Sequence, residues 1–409
     1  MEQFDCVVIG GGMIGAATAL SLVDLGLKVA LVERDLVDTS LKTDPTQQPF
    51  DLRVSAISIA SEHLLEQLGA WQQIKAWRVC PYKRLAVWEQ EAAYTEFNAD
   101  DIKQNYLGHI VENHLIQLAL WQQVITKAGL QVFSPEELVS LEQHESYAQV
   151  TLQHRVLEAK LVIGADGPLS KVRQMADIGV SGWDYPQSAM LINVETELAQ
   201  QDITWQQYLP TGPVAFLPLP YNSQSKSDER LGNASLVWYH NRDEIKRLSS
   251  LPDNQLQQQI IKNFPKRLGN IKVLSRGAFP LTRRHANSYQ NKRVLLLGDS
   301  AHTINPMAGQ GVNLGFKDVK ALQDIIATAI AKGEQWHDIK VFSRYEKSRR
   351  ADNLMMMTTM DALYTTFSHP SSVVKSLRHL ALLAINNVPF INNTVKNKVL
   401  AYACGVSLE

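Results

Sequence analysis

The segment from Phe4 to Glu33, FDCVVIGGGMIGAATALSLVDLGLKVALVE, restricts this chain more than any other. A short apolar run, Cys6 to Ile9, meets Gly10, Gly12 and Gly15 in G-x-G-x-x-G spacing. An alanine- and leucine-rich amphipathic stretch follows, then a second apolar run, Val29 to Val32, ending in Glu33. This order predicts strand, tight turn, helix, strand. Gly10 allows the turn, Gly12 lets backbone approach a pyrophosphate, and Gly15 lets the helix lie close on the strand. The N–H groups that open the helix, at Met13 and Ile14, sit at its positive dipole end and favour phosphate. Glu33, with Arg34 beside it, follows Gly15 by 18 residues, near the roughly 20-residue spacing of an acid that takes ribose hydroxyls. A glycine-rich turn without a ligand explains the triplet but not the strand, helix and acid together. The segment predicts an adenine dinucleotide site.

The 409 residues leave room for two or three domains, and 45% apolar against 20% charged residues supports a sizeable core. A net charge of −1 argues against a general nucleic-acid binder. Cys6, Cys80 and Cys404 are far apart and odd in number, so they offer no disulfide framework, C-x-x-C pair or zinc knuckle. A reducing, cytoplasmic setting is expected. The chain enters a strand by Phe4 with no signal-peptide pattern, and no apolar run approaches the roughly 20 residues of a membrane span.

After Glu33 a polar, proline-containing loop leads to Asp51-Leu52-Arg53 and a predicted helix from Ala56 to Leu68, ended by Gly69. Arg53 is equally well read as a surface charge or as a ligand to phosphates or a ribityl chain. Leu85–Trp88 and Tyr94–Phe97 read as a strand pair. Asn113, a residue suited to capping, opens a helix to about Ala128, and strands follow at 131–133, 148–152 and 159–163. The last runs into GADGPLSKVR, residues 164–173. By composition that is only an Asp-Gly turn, with Ser170 as helix cap and Arg173 solvated.

From Ser181 to about Arg276 the pattern turns β-prone and aromatic, with runs at 189–194, 204–209, 214–219 and 236–239 and a polar loop from Asn222 to Asn233. Trp183, Tyr185, Trp205, Tyr208, Phe216, Trp238 and Tyr239 suit core packing or a pocket for a flat ligand. Val294–Leu297 then leads into Gly298-Asp299-Ser300-Ala301-His302. Pro306, Gly309, Gly311, Val312 and Asn313 open a helix carrying Asp318. An Asp past a strand can accept from a ribityl hydroxyl, and a helix N-terminus favours the negative charge of a reduced flavin. All three glycine-bearing segments follow predicted strands, where ligands gather in α/β sheets.

GGGMIG, GADGPLSKVR and GDSAHTINPMAGQGVNLG, in this order, resemble the single-component flavoprotein aromatic hydroxylases typified by p-hydroxybenzoate hydroxylase. Within that family, DLRVSAIS, VENHLIQLALW, GPVAFLPL, FPLTRRHA and NPMAGQGVNLGFKDV resemble the ubiquinone-biosynthesis hydroxylases. The resemblance implies an α/β fold: a Rossmann-like FAD-binding domain (1–75, 100–180, 277–360), an inserted antiparallel-sheet substrate domain (76–99, 181–276) and a C-terminal helical segment (361–409). It implies that Gly10, Gly12, Met13, Ile14 and Gly15 hold the FAD pyrophosphate, Glu33 and Arg34 the adenosine side, and Arg53 and Asn113 the flavin side. Asp166 and Gly167 belong to a motif serving FAD and NAD(P)H. Asp299 is implied for the ribityl chain, and Gly311, Val312 and Asn313 for the isoalloxazine border. The Pro306 carbonyl would meet the substrate phenol, with Phe216, Leu217 and Pro218 lining its pocket.

The implied reaction reduces non-covalent FAD with NADH or NADPH and passes oxygen from a C4a-hydroperoxide to the ring of a polyprenylated phenol or quinol. No metal is implied. Alternatives on the same scaffold are a sister hydroxylase acting at another ring position, a flavin dehydrogenase or prenyl reductase, and a non-catalytic flavoprotein in a biosynthetic complex. His302 is the nearest candidate base, although a lone His at a strand end is more often structural. The tail from Ala362 to Leu408 holds Lys375, Arg378, Lys396 and Lys398 and no acid, with Val373, Leu377, Leu380 and Ala384 at helical spacing. It reads as a packed helix or as a contact with the inner face of an anionic membrane.

Overall fold

In the computed structural model, residues 2–37, 39, 44–91, 94–221, 231–304, 309, 311–368 and 396–406 are described. The fold is mixed α/β. The first sheet has eight strands, five of them parallel, in the spatial order Val294–Leu296, Val156–Gly164, Glu2–Ile9, Val29–Val32 and Leu130–Phe133, with Gln290–Asn291, Ala148–Leu152 and Leu138–Gln143 added antiparallel. Val29–Val32 and Val294–Leu296 are buried throughout, and Glu2–Ile9 and Val156–Gly164 are buried over their last four residues, as parallel strands covered on both faces must be. Register brings Ile9, Gly164 and Leu296 side by side. The three glycine motifs therefore leave the sheet at one level, on three adjacent strands. The helix Met13–Val23 packs between Asn113–Val124 and Gly311–Ala331.

The second sheet has eight strands and is mainly antiparallel. Its long members are Val180–Thr196, Gly212–Leu219, Gly232–Asn241 and Ile271–Ala286, and Arg84–Trp88 and Thr95–Asn98 join its far edge. The expected division at 276/277 falls inside Ile271–Ala286, which pairs with Val180–Thr196 along almost its whole length. One face of this sheet is closed by the helices Arg242–Ser249 and Asp253–Asn263, over a core containing Trp88, Trp205, Phe216 and Trp238.

Those two helices lie in a block expected to be β. Local charge order explains the first: Asn241 caps the Glu244 N–H at 2.8 Å, Asp243 and Glu244 fill the first turn, and Lys246 and Arg247 the last. The predicted helix at Ala56 instead begins at Ile59, because Val54–Ser58 is a strand paired with Gly108–Glu112. Ser58 then becomes its N-cap. No local period could reveal that, since the partner strand lies some fifty residues on.

The helix Asn397–Cys404 buries Leu400, Ala401 and Cys404 beside Phe50 and Tyr82, as the packing reading of the tail expects. Lys375, Arg378, Val373, Leu377, Leu380 and Ala384 lie outside the described residues, as does most of the loop expected from Asn222. Among the described residues no helix is long and apolar enough to cross a membrane.

Candidate functional site

The first glycine loop has the shape of a phosphate cradle. Gly10 has φ +103°, and a Cβ there would lie 2.5 Å from the Ala165 carbonyl oxygen. A Cβ on Gly15 would lie 1.8 Å from the Gly10 oxygen, so helix and turn touch only because both residues lack one. At Gly12 a Cβ would meet nothing within 4 Å. That open side is where a ligand can approach the backbone. Gly12 caps the helix with no side-chain bond, and the first turn, with Met13 and Ile14, carries no acid. Its N–H groups and positive dipole end are thus left for an anion. Both residues also pack against the core, and Ile14 meets Gly298 and Gly315.

Glu33 stands at the end of the next strand and accepts the Gly11 N–H at 2.5 Å and the Asp35 N–H at 2.9 Å. The Gly11 carbonyl accepts from Trp121 Nε1 at 2.6 Å and Gln117 Nε2 at 3.1 Å. Those two helix residues hold the loop's shape; the VENHLIQLALW stretch that contains them resembles the family, but no local period or spacing gives them this role. Arg34 is exposed and pairs with its neighbour Asp35.

Asp166 is a hub. Its carboxylate accepts from Ser170 Oγ, from the Lys171 N–H at 2.7 Å, from the Val172 N–H at 3.1 Å and from Ser300 Oγ at 3.1 Å. Ser300 Oγ in turn accepts the Gly167 N–H at 3.0 Å. The two distant motifs are thus tied through one hydroxyl. Ser170 is the helix cap, as expected. Arg173 is not solvated: it is 5% exposed and donates to the Ser300 and Pro168 carbonyls. Burial lowers its pKa, with Asp166 opposing.

Asp299 remains open to solvent at the end of its strand, though protein crowds it. That crowding raises its pKa, while His302 and Arg53 pull it down, so Arg53 lies within electrostatic reach of Asp299. The Arg53 side chain is exposed, but its loop is firmly held. Arg78 and Glu112 form a buried pair at 2.5 Å, Glu112 accepts the Asp51 N–H at 2.6 Å, and Arg78 donates to the Gln48 carbonyl. Asn193 Nδ2 reaches across from the second sheet to the Phe50 and Asp51 carbonyls, both at 3.1 Å. Asn113 does not cap its helix; that place falls to Glu112. Instead its N–H donates to the Arg53 carbonyl at 2.9 Å and its Oδ1 accepts from Ser55. The Asn113 main chain thus ties to the Arg53 main chain, and its side chain to Ser55.

Gly311 and Val312 begin the 21-residue helix, whose first turn carries no acid. The Asn313 side chain is fully buried and engaged with protein: Oδ1 accepts from the Ser58 N–H and Ser61 Oγ, and Nδ2 donates to the Ala56 carbonyl. What residue 313 can offer a flavin is main chain. Pro306 lies outside the described residues.

His302 is 1% exposed, with Nε2 at 2.6 Å from Asp318 Oδ2. Asp318 also accepts from Arg349 Nε at 2.7 Å, Asn353 Nδ2 at 3.1 Å and the Gly298 N–H at 3.0 Å. A sealed imidazole in that network is a structural part, not a base within reach of a ring. Burial alone would push the Asp318 carboxyl up, but His302 and Arg349 outweigh it and hold its pKa below the ordinary value. On the neighbouring strand, burial lowers the His285 pKa to about 4, with Arg350 and His302 adding to it. The unfolded chain binds a proton at His285 below its ordinary value of 6.5 and the folded chain does not. Stability is therefore expected to fall as pH drops from 6.5 to about 4, by up to about 1.4 kcal/mol per unit from this group. Urea melts across that range should show the decline, and His285→Gln should flatten it.

Of the residues expected to line a substrate pocket, Phe216 is corrected. It is 1% exposed and stacked on Trp205 at 5.3 Å, in the core beneath the helices. Strand alternation gives Pro218 that same face, and Leu217 the opposite, inner one. There Leu217 packs with Phe50, Tyr82 and Val54.

A family model for the FAD binding domain matches residues 3–357. The chain is 43% identical to the 3-demethoxyubiquinol 3-hydroxylase of Escherichia coli over 99% of both chains. It is 33% identical to the mitochondrial ubiquinone biosynthesis monooxygenase COQ6 of Danio rerio, over 98% of this chain and 90% of that one. Among solved structures, p-nitrophenol 4-monooxygenase PnpA from Pseudomonas putida superposes with a TM-score of 0.77 at 18% identity, over 99% of each chain. The open Gly12 backbone and acid-free helix start fit the cofactor that the family's description names, and the chain belongs to the FAD-binding domain family.

Proposed function

We propose that this protein is an FAD-dependent monooxygenase that hydroxylates the ring of a polyprenylated benzoquinol in ubiquinone biosynthesis. The observation that carries the reading is 43% identity to a demethoxyubiquinol hydroxylase over 99% of both chains, together with a glycine cradle suited to FAD.

FAD supplies the redox and oxygen-activating chemistry, with NADH or NADPH as electron donor. The protein's own work is to hold and shield. Gly12, Met13 and Ile14 would present backbone N–H groups to the pyrophosphate, and Glu33 would take the adenosine ribose. Asp299 receives the ribityl hydroxyls and Arg53 sits across from it. The Gly311 helix start, with no acid in its first turn, would favour the negative charge of a reduced flavin. Pro306 contributes its carbonyl to the substrate phenol. The second sheet closes the other side and keeps water from the reacting ring.

The test is oxygen uptake with NAD(P)H and a short-chain prenyl methoxybenzoquinol. Substrate-stimulated turnover yielding a product heavier by one oxygen supports the proposal. NAD(P)H oxidation without oxygen insertion would make the protein a dehydrogenase or reductase, and bound FAD without turnover would make it a scaffold. Complementation of strains each lacking one ring hydroxylase identifies the ring position.

The basic tail serves a peripheral contact with the membrane that holds a polyprenyl substrate. Lys375→Glu with Arg378→Glu should lower co-sedimentation with anionic vesicles several-fold; unchanged binding would remove the tail from that role.

A further inference from the structure

The two faces of the second sheet differ in a way that packing alone does not require. Beneath the helices its side chains are sealed, with Met190, Val214, Phe216 and Leu236 at 0–1% exposure. On the inner face Val87, Leu191, Leu217 and Val237 stay partly accessible. An apolar surface that the protein leaves partly open suits a flat apolar ring.

Polar groups on this face lack partners. Gln206 is 8% exposed and Ser235 fully buried, yet Gln206 Nε2 and Ser235 Oγ have no hydrogen-bond partner among the described residues. Register puts them on one face, on the two strands that flank Gly212–Leu219. Gln206 pairs with Ala215, Ala215 pairs with Val237, and Ser235 is one same-face step from Val237. The two lie two strand spacings across and two residues along the strand from each other, roughly 12 Å, with Ala215 and Leu217 as the floor between them. A buried polar group without a partner costs about 1–3 kcal/mol. Two such groups facing each other across an apolar floor can recover that cost from a ligand with oxygens on opposite edges.

Resting on the proposed hydroxylase reading, we propose that Gln206 and Ser235 grip the ring oxygens of the substrate and set which ring carbon faces the flavin. Gln206 Nε2 donates to an ether or phenol oxygen. The Ser235 hydroxyl, which both donates and accepts, meets the oxygen on the other edge. The apolar residues around Ala215 hold the ring face. Neither residue moves a proton in the reaction; both position the substrate.

The test uses the holoenzyme with a short-chain prenyl methoxybenzoquinol. Gln206→Met, close in shape, and Ser235→Ala are compared with wild type by substrate Kd from the flavin absorbance change, by KM and kcat, and by hydroxylated product per NAD(P)H consumed. Each variant should raise Kd and KM about tenfold, as loss of a bond worth about 1.4 kcal/mol does, and should divert NAD(P)H equivalents to hydrogen peroxide. Gln207→Met, on the opposite face, should change neither. In wild type, a prenyl analogue lacking the ring oxygens should bind at least tenfold more weakly, which keeps the test independent of how the variants fold. Unchanged Kd and coupling in variants that retain FAD, or equal affinity of wild type for the oxygen-free analogue, overturns this inference and leaves the hydroxylase reading standing. A wild-type enzyme that inserts no oxygen overturns both.

Discussion

Gly15→Ala is expected to yield a protein that purifies without flavin. The added methyl would sit 1.8 Å from the Gly10 carbonyl oxygen and 3.3 Å from the Ala165 Cβ. Neither neighbour can move aside. Gly10 holds a φ of +103°, in which a side chain is strained, and its carbon lies under the Ala165–Asp166 main chain. The helix must back away from the sheet, carrying with it the N–H groups that face the pyrophosphate. The visible flavin absorbance relative to protein absorbance should fall to near zero. Added FAD should stabilise wild type, by about 4 kcal/mol at a thousand-fold excess over Kd, and leave the variant's melting temperature unmoved. A variant that keeps a full complement of FAD would refute the assignment of this loop.

Asp318→Ala should be the most destabilising single substitution outside the glycine loops, by about 3–5 kcal/mol. It leaves the buried His302 (1% exposed) without its carboxylate and takes one of two carboxylates from the buried Arg349 (6% exposed), which keeps Asp352. It also frees the Gly298 N–H, which shapes the turn presenting Asp299. FAD affinity should therefore fall together with stability. Asp318→Asn keeps the shape and should lose less. The pH dependence follows from the carboxyl's lowered pKa. Its contribution is complete above the ordinary value of 3.8 and disappears as pH falls through the folded-state value below that. This loss lies on the acid side of the His285 window, so wild type should weaken in two stages and Asp318→Asn in one. Urea melts from pH 7 to 3 would show it; a wild-type curve flat below pH 4 would count against the argument.

What the sequence makes legible is set by distance along the chain. The Phe4–Glu33 unit writes its strand, turn, helix and acid within thirty residues, and all four stand where expected. Ser170 is likewise a local device. The Asp166–Ser300 tie is not, because it joins residues 134 apart and either alone suits a turn. Trp121 and Gln117 look like ordinary helix residues until the fold sets them over Gly11. Phe216 fails for a different reason. Its strand was identified correctly, but a strand pattern apolar on both faces does not say which face the helices cover. Arg173 carries a charge normally read as solvated, and three-dimensional burial overrides that reading.

Asn193 belongs to the second sheet, yet its amide holds the carbonyls of Phe50 and Asp51, three and two residues before Arg53. An engineer wishing to change substrate by grafting this sheet from another hydroxylase would thus also transplant a handle on the cofactor loop. A chimera without an amide there should misplace its guanidinium even if every ring contact were designed well.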